Sequence, residues 1–305
     1  MRVLLIVNAT ASAFTARRRV IIQKAIGSDH DLEVEETSRR GHAARLALGA
    51  ANDGMDVVAV LGGDGTLNEA ADGLAGSETA LAPLPGGSTN VYARTIVMAD
   101  DPIDATAQLL AALDRGSIER VGLGRVDGRH FLFHCGVGFD AAVVEQVERR
   151  SAFKKYAAHP LFVAASFNTW LRSYDHKHGR FDVELDTGER VEGATLLIVS
   201  KTSPYTYLGR RPMVIAPAAG LHSPLSLTII KARRSTSILG LAGAALMSAR
   251  AVQRHHDVVQ RDGVEAATVT TTGEQFPYQV DGDYLGDVKR LYFEHVPNAL
   301  RLVVP

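Results

Sequence analysis

One stretch, Asp56–Leu74, constrains the fold of this chain more than any other; it reads DVVAVLGGDGTLNEAADGL. Val57–Leu61 is an unbroken run of apolar, mostly β-branched residues, which is typical of a strand buried on both faces of a parallel sheet. Thr66 and Glu69 have the spacing of a capping box, so we predict that a helix begins with Thr66 as its N-cap. Beyond the glycines, apolar residues recur on one helical face: Leu67, Ala70, Ala71 and Leu74.

The glycine turn between this strand and this helix predicts an anion site. Glycines let a ligand approach backbone N–H groups, and a helix N-terminus adds unpaired donors, a combination that most often binds phosphate. The stretch is not a Walker loop, because no Gly-Lys-Ser/Thr follows, and it lacks the third glycine of the dinucleotide fingerprint. Asp64 would repel a bare phosphate, so we expect Mg²⁺ or a network of donors between them. An ordinary tight turn, with Asp64 helping to cap the helix, is the alternative.

The Gly-Gly-Asp-Gly-Thr core at 62–66, continued by Leu67-Asn68-Glu69, resembles the nucleotide loop of the diacylglycerol kinase catalytic-domain family. That family includes sphingosine kinases and bacterial lipid kinases. The same core occurs in NAD kinases and is related to phosphofructokinases, but the continuation favours the lipid kinases. The resemblance implies ATP and Mg²⁺ as cofactors, with Asp64 near the metal that ATP carries. It also implies nucleotide-binding roles for twelve residues: Asn8, Thr37, Gly62, Gly63, Asp64, Gly65, Thr66, Asn68, Glu69, Gly87, Ser88 and Asn90.

Length and composition fit a protein of one or two domains. With 305 residues and a formal net charge of −1, the chain can bury sizeable cores, and no basic excess points to nucleic acid. The single cysteine, Cys135, cannot form an intramolecular disulfide and lies among apolar residues, which favours a reducing compartment and a core position. The sequence shows no export signal and no apolar run of ~18–20 residues. We therefore expect a cytoplasmic protein that reaches a lipid substrate by peripheral contact with the membrane surface.

Strand and helix patterns alternate through the first part of the chain, which predicts a mostly parallel sheet covered on both faces. Around Ile118 the period changes and hairpin patterns follow, with helical stretches at about 141–149, 160–173 and 235–254. We predict an α/β nucleotide-binding domain over 1–121 and an antiparallel β domain with inserted helices over 122–296. The resemblance implies a phosphofructokinase/NAD kinase-like first domain, a β-sandwich for the lipid substrate, and a tail, 297–305, that returns to the first domain.

A second glycine loop lies in Pro85–Arg94, PGGSTNVYAR, after another predicted strand. Ser88 or Thr89 caps the following helix on the plainest interpretation. The resemblance instead implies that Ser88 offers a hydroxyl to the nucleotide phosphates, with Asn90 nearby. Val91 stands where the family often has Asp.

A third polar segment follows the second predicted strand at Thr37, with Arg39 and Arg40 after it. A strand end with a solvated basic turn is one interpretation. The resemblance implies a contact between Thr37 and ATP, and the arginines could help to neutralise the triphosphate. Because ligands bind outside the carboxyl ends of parallel strands, the three polar segments are expected to converge on one crevice.

The segment Gln279–Asp283, QVDGD, is the candidate for general-base chemistry. Two carboxylates that flank a glycine can raise one another's pKa when partly buried, and a base near neutral pH suits the removal of a hydroxyl proton. A plain Asp-Gly hairpin turn is the alternative. In the resembling family this place reads Asp-Gly-Glu, and the Glu is the proposed proton acceptor. The resemblance thus assigns the base to Asp283, one methylene shorter, with Asp281 in support.

The remaining segments predict little chemistry. His222, Ser223 and Pro224 replace a family Asp-Asp-Gly run that holds a structural Mg²⁺ in some members, so we predict no metal there. Asp140 is expected to cap a helix. Apolar residues within 162–171, beside basic residues, predict either a helix packed on a sheet or a face that rests on an anionic membrane. Four histidines lack acidic or cysteine partners at a metal spacing and are interpreted as surface residues: His176, His178, His255 and His256.

The leading hypothesis is an ATP-dependent lipid kinase, with the ATP phosphates on Gly62–Thr66 and a lipid hydroxyl that loses its proton to Asp283. An NAD kinase would share the glycine core and use a soluble acceptor. A non-catalytic nucleotide- or lipid-binding paralogue is the third hypothesis, because the sequence departs from the family at Val91, His222 and Asp283. Neither the lipid nor the oligomeric state follows from the sequence.

Overall fold

The structure is a computed structural model that describes residues 1–11, 15–138, 141, 181–209, 211–231, 240, 244 and 248–305. The chain divides into two compact units. The first comprises Met1–Leu132, Thr206–Arg211 and Val296–Pro305, and the second comprises Phe133–Tyr205 and Pro212–His295. Several predictions fall outside the described residues: most of the helices over 141–149, 160–173 and 235–254, the cap at Asp140, the face within 162–171, and the interpretation of His176 and His178.

Strands and helices alternate through most of Met1–Leu132, the first segment of unit one. They are β1 (Arg2–Val7), α1 (Ala16–Gly27), β2 (Asp31–Glu36), α2 (His42–Asn52), β3 (Val57–Gly62), α3 (Asp64–Leu74), β4 (Ala80–Pro85), α4 (Val91–Thr95), α5 (Pro102–Asp114), β5 (Ile118–Val126) and β6 (Arg129–Phe131).

Strands predominate in the described part of the rest of the chain. They and one short helix are β7 (His134–Gly138), β8 (Phe181–Leu185), β9 (Arg190–Ala194), β10 (Leu196–Ser200), β11 (Thr206–Leu208), β12 (Arg211–Met213), β13 (Leu225–Ile230), α6 (Ala249–Gln253), β14 (Val258–Val264), β15 (Ala266–Thr271), β16 (Phe276–Val280), β17 (Asp283–Val288) and β18 (Arg290–Val303).

The first unit contains a parallel sheet in the order β2-β1-β3-β4, and the end of β18 lies parallel to β4 at Arg301 and Leu302. β3 and β4 are buried along their whole length, as their unbroken apolar runs predict. Helices α2 and α3 pack so closely that a methyl group at Gly73 would collide with the carbonyl oxygen of Ala44. The carboxyl ends of the parallel strands lie along one edge of this sheet.

The second unit contains two antiparallel sheets. One has the order β14-β13-β10-β7-β16-β17, and in the other β15 pairs with β8 and with the first part of β18. The rings of Phe181 on β8 and Phe276 on β16 are 5.2 Å apart, so the two sheets face each other across an apolar core. The predicted fold class, a mostly parallel α/β unit followed by an antiparallel β-rich unit, is confirmed. Cys135 is buried within β7.

The boundary between the units falls after Leu132, whereas the sequence placed it near Val121. The hairpin β5–β6 belongs to the first unit, where His130 on β6 hydrogen-bonds through both its backbone N and its Nδ1 to Asp72 Oδ1 on α3, at 2.9 Å each. The last residues, Val296–Pro305, also belong to the first unit. Within the described residues, no helix is long and apolar enough to cross a membrane.

Candidate functional site

The first glycine turn leaves the N-terminus of α3 open. The helix begins at Asp64 with Gly63 as its N-cap, and no described side chain caps it. The predicted N-cap, Thr66, therefore lies inside the first turn, and that prediction is wrong. Its hydroxyl instead accepts a hydrogen bond of 2.9 Å from Asn8 Nδ2, which follows β1. This leaves the backbone N–H groups of the first turn, together with the positive end of the helix dipole, as potential anion donors.

Glu69 does not complete a capping box. Its Oε1 accepts from the Gly41 N–H at 2.7 Å, and its Oε2 accepts from the Ala43 N–H at 3.1 Å. Gly41 is the N-cap of α2 and has a φ of 76°, which favours glycine. Because glycine has no side chain, Gly41 cannot cap the helix itself. Glu69 therefore caps a helix that begins 27 residues earlier in the chain, and not its own.

A polar cavity of about 240 Å³ opens at the carboxyl ends of β1, β2 and β3 in the first unit. Four of the predicted nucleotide-binding residues line it, namely Asn8, Thr37, Thr66 and Glu69, together with Thr10, Ser38, Arg39 and Arg40. The structure thus brings together hydroxyl groups, an amide and two guanidinium groups around one space. Thr10 and Ser38 were not among the predicted site residues, although each lies in a polar turn that follows a strand, the position at which parallel sheets bind ligands.

Asp64 lies at the other side of the glycine turn, and each of its carboxylate oxygens accepts one backbone hydrogen bond. Its Oδ2 accepts from Val91 N at 3.0 Å and its Oδ1 from Tyr92 N at 3.3 Å, so it caps α4. Burial raises the pKa of this carboxyl, and the two backbone hydrogen bonds oppose that shift. Because each oxygen keeps a further lone pair, a phosphate-bound Mg²⁺ can still approach, and the assignment of Asp64 to the metal stays a prediction.

The second glycine loop packs against the first. Gly86 N donates to Gly62 O at 2.8 Å, and a Cβ at Gly86 would lie 2.8 Å from Gly62 N. A Cβ at Gly87 would lie 2.8 Å from the Cα of Gly63. The glycines at 86 and 87 are therefore required for the close approach of two backbones. This places the two glycine loops side by side within the first unit.

Asn90 shapes this second loop through its own backbone. Its Oδ1 accepts from Gly87 N at 2.8 Å, its Nδ2 donates to Gly87 O at 3.0 Å, and its φ is 49°. Neither Ser88 nor Thr89 caps α4, since Asn90 is the N-cap residue and Asp64 supplies the acceptor oxygens. Ser88 is exposed, which leaves its predicted role toward phosphate open as a prediction.

Asn68 lies away from the cavity. Its side chain is buried, and its Oδ1 accepts from Leu132 N at 3.2 Å. A buried amide with a backbone partner explains why this residue type stands there, because the N–H of Leu132 would otherwise lose its acceptor. Its predicted contact with the nucleotide stays a prediction.

The candidate base lies in a tight hairpin of the second unit. Asp281 and Gly282 both have a positive φ, of 49° and 86°, and connect β16 to β17 with Val280 opposite Asp283. Gln279, fully buried, accepts from Gly282 N through Oε1 at 2.7 Å. The Asp-Gly hairpin that the sequence analysis gave as an alternative is therefore present. A turn does not exclude chemistry, because Asp283 follows it as the first residue of β17.

Asp281 ties this hairpin to the beginning of β7. Its Oδ1 accepts from Phe133 N at 3.1 Å and from His134 N at 2.9 Å, and its own N–H donates to His134 O at 3.0 Å. The carboxylate thus acts as a structural acceptor for two backbone donors. The predicted support of Asp283 by Asp281 stays a prediction. In this geometry, Asp281 would support Asp283 by fixing the position of the hairpin that carries it.

Two further features concern cations. His255 and His256 were interpreted as lacking an acidic partner, but the ligand atoms of both and of Asp257 lie within 4.8 Å of one another. His255 Nδ1 already accepts from Asp257 N at 3.3 Å, which leaves fewer ligand atoms for an ion.

The second feature is Lys201, which was not among the predicted site residues and which is completely buried.

Comparison with known proteins finds relatives of the part of the chain that contains both glycine loops. Residues 2–126 match the diacylglycerol kinase catalytic domain. A protein named probable lipid kinase YegS-like from Cronobacter sakazakii is 42% identical over 76 residues, which cover 24% of this chain and 25% of the relative. A diacylglycerol kinase from Bacillus subtilis is 29% identical over 120 residues, 39% of each chain. These alignments span well under two thirds of either relative.

Solved structures share the fold over the whole chain. A diacylglycerol kinase from Bacillus anthracis has a TM-score of 0.75 at 21% identity, and the match covers 100% of this chain and 97% of that one. Yeast NADH kinase in complex with NADH has a TM-score of 0.57 at 10% identity, with 100% and 84% covered. The resemblance read from the glycine core and its Leu-Asn-Glu continuation is confirmed by the family match, in which residues 2–126 of this chain are similar to the diacylglycerol kinase catalytic domain.

Proposed function

We propose that this protein is an ATP-dependent lipid kinase, which transfers the γ-phosphate of ATP to a hydroxyl of a lipid such as diacylglycerol. The observation that carries the proposal is the polar cavity beside the open N-terminus of α3, within the family domain. The relatives named as lipid kinases and as a diacylglycerol kinase support the choice of acceptor class. The lipid would be met at the membrane surface.

The residues around the cavity fit a polyphosphate. Arg39 and Arg40 offer guanidinium donors that match phosphate oxygens, and Thr37 and Thr66 offer hydroxyl groups. The backbone N–H groups at the start of α3 add donors that no described side chain occupies. This arrangement orients the triphosphate and offsets its charge, which is the main protein contribution in phosphoryl transfer.

Mg²⁺ would be carried by the phosphate oxygens of ATP, and Asp64 is the carboxylate of the glycine turn that would help to hold it. When bound, it neutralises charge on the transferred group. The two hydrogen bonds from Val91 and Tyr92 fix the Asp64 carboxylate in place. A preset carboxylate needs no reorganisation when charge arrives.

Asp283 is the proposed base. The proton of the lipid hydroxyl passes to the Asp283 carboxylate, the hydroxyl oxygen forms a bond to the γ-phosphorus, and the bond from that phosphorus to the bridging β-γ oxygen breaks to release ADP. The hairpin held by Gln279 and Asp281 sets the position of Asp283 at the start of β17.

A second candidate rests on the fold shared with yeast NADH kinase. Such an enzyme would phosphorylate a soluble dinucleotide instead of a lipid. The two proposals are separated by the acceptor alone, because both use ATP as donor. Purified protein is therefore incubated with labelled ATP and Mg²⁺, in parallel with NAD and with a panel of lipids in mixed micelles.

The decisive variant is Asp283→Asn, with Asp287→Asn on the same strand as its matched control. We expect lipid phosphorylation to fall by ~10²–10⁴-fold in Asp283→Asn while ATP binding measured by calorimetry persists. Asp287→Asn is expected to keep wild-type turnover. Phosphorylation of NAD and of no lipid would overturn the proposal in favour of the second candidate. ATP binding without any transfer would favour the non-catalytic paralogue.

A further inference from the structure

Lys201 is a buried cation whose ammonium group is bonded to backbone carbonyls. It follows β10 directly, and none of its surface is accessible to solvent. Its Nζ donates to the carbonyl oxygens of Gly220 at 2.7 Å, Leu221 at 3.0 Å and Ser223 at 3.0 Å. An ammonium group has three N–H donors, so these carbonyls use its full capacity. Among the described residues, no acidic side chain forms an ion pair with it.

The loop that surrounds the ammonium is built around it. Three carbonyl oxygens of a four-residue stretch, Gly220–Ser223, point to one atom, and the Ser223 hydroxyl closes the turn by donating to Gly220 O at 3.2 Å. Carbonyl dipoles that converge on one point repel each other unless a positive charge lies between them. Backbone carbonyls arranged in this way form the coordination shell of small dehydrated cations.

Burial and hydrogen bonding act on this lysine in opposite directions. Burial lowers the pKa of Lys201 to about 8, because the charged form loses its hydration. The three carbonyl acceptors favour the ammonium form. A charge is retained in such a place only where the surrounding oxygens replace its water.

We propose that the carbonyl oxygens of Gly220, Leu221 and Ser223 form a binding site for a small monovalent cation, which the Lys201 ammonium occupies from within the chain. The ligand class is ammonium, K⁺ or Rb⁺, since neutral carbonyl oxygens supply no negative charge for a divalent ion. This segment is the one in which the absence of carboxylates led us to predict no metal. The inference is independent of the proposed function.

The site also connects two parts of the second unit. Lys201 N and Thr202 N donate to Phe133 O at 2.7 Å and 3.3 Å, while the Phe133 N–H is held by Asp281. The bound ammonium therefore fixes the 220–223 loop to the chain segment that lies beside the Asp281 turn. Loss of the cation is expected to loosen this loop first, because its inward carbonyls lose their common partner.

The test is to remove the lysine charge and supply a free cation. Thermal unfolding of full-length Lys201→Ala, whose short side chain leaves the space among the carbonyls open, is measured in ammonium, potassium and tetramethylammonium chloride at equal ionic strength. We expect the Tm of the variant to be about 2–5 °C higher in ammonium or potassium than in tetramethylammonium, an ion too large to lie among the three carbonyls. Wild type and the control Lys289→Ala, which removes an exposed lysine of the same unit, are expected to show no such difference.

Two readouts locate the cation and keep the inference testable if the variant does not fold. Rb⁺ soaked into Lys201→Ala crystals is expected to give an anomalous peak among the three carbonyls. In wild type, the ¹⁵N signal of the Lys201 ammonium is expected to survive rapid exchange with water, as buried and fully bonded NH₃⁺ groups do. A folded variant with equal Tm in all three salts and no anomalous peak would overturn the proposal, as would a rapidly exchanging Lys201 ammonium in wild type.

Discussion

The two glycine loops of the first unit share a Gly-Gly pair and a following helix, but they use their glycines differently. In the first loop, a Cβ at Gly65 would meet nothing within 4 Å, and the helix end is open. In the second loop, a Cβ at Gly86 or Gly87 would strike the backbone of the first, and the helix end is capped by Asp64. The first loop thus offers donors to a ligand, and the second supports the first from behind.

This difference teaches that a glycine motif has at least two physical meanings that a sequence does not separate. One is free space for a ligand near the backbone, and the other is contact between two backbones. Asp64 connects the two loops, because it belongs to the first loop and caps the helix that follows the second. Substitutions in each loop therefore should separate stability from ATP binding.

The largest effect is expected from Gly86→Ala. The added methyl would lie 2.8 Å from Gly62 N. Because this neighbour is backbone, the clash can be relieved only if the first loop moves. We expect a loss of about 2–3 kcal/mol in the free energy of unfolding, measured by urea denaturation. Gly49→Ala in α2, where a Cβ would meet nothing within 4 Å, is the control and should not lose stability. Equal stabilities of Gly86→Ala and wild type would show that the loops do not rest on each other.

Asp64→Asn is expected to have the next largest effect. The amide can accept only one of the two N–H groups of α4, so we expect a loss of about 1–2 kcal/mol in stability. The pH dependence has a defined sign. Burial raises the folded-state pKa of Asp64, so between its ordinary and its raised value the native state binds more protons and wild type loses stability as the pH rises.

The asparagine variant lacks this titration. The stability of wild type relative to Asp64→Asn should therefore decline as the pH rises through that window, in parallel urea titrations. A constant difference across acidic pH would contradict the assigned burial of the carboxylate.

A smaller effect, and a gain, is expected at the far end of α4. Val97 is 78% exposed with a φ of 62°, and it occupies the left-handed position of a helix-ending motif in which Val97 N donates to Arg94 O and Met98 N to Ala93 O. A β-branched residue is strained there, whereas glycine is not. We expect Val97→Gly to raise the free energy of unfolding by about 1 kcal/mol, because the relief of strain exceeds the added chain entropy. Calorimetric unfolding checks this, and a decrease in Tm would refute it.

The smallest effect on stability is expected from Gly65→Ala, and it sharpens the comparison most. Alanine in the first turn of α3 should leave the fold intact and add about 0.5 kcal/mol. If the triphosphate approaches this backbone, the methyl should weaken ATP binding by about tenfold in calorimetry. Gly65 is a cleaner probe than Gly63, whose Cβ would already touch Gly87 Cα at 3.5 Å. Unchanged ATP affinity would remove the first loop from the phosphate site.

The sequence correctly predicted the strands that end in the glycine loops, because a buried parallel strand needs an unbroken apolar run and β3 and β4 both have one. It failed at the helix ends. Thr66 and Glu69 have capping-box spacing, yet Glu69 bonds to Gly41 and Ala43. Sequence spacing describes only local partners. Here Glu69 accepts from the N–H groups at the start of α2, because the glycine N-cap of that helix has no side chain to accept them.

By itself, the sequence determined the likeness of residues 2–126 to the diacylglycerol kinase catalytic domain, the alternation that builds a parallel sheet, and the polar turns that line the cavity, because each depends on residues close together in the chain. Tertiary structure alone decided that Asp64 caps α4, that Asp281 holds Phe133 and His134, and that Lys201 lies among three carbonyls. The physical reason is that a buried charge or N–H group takes whichever partner the fold brings within 3 Å or so, and that partner is fixed by packing and not by sequence distance.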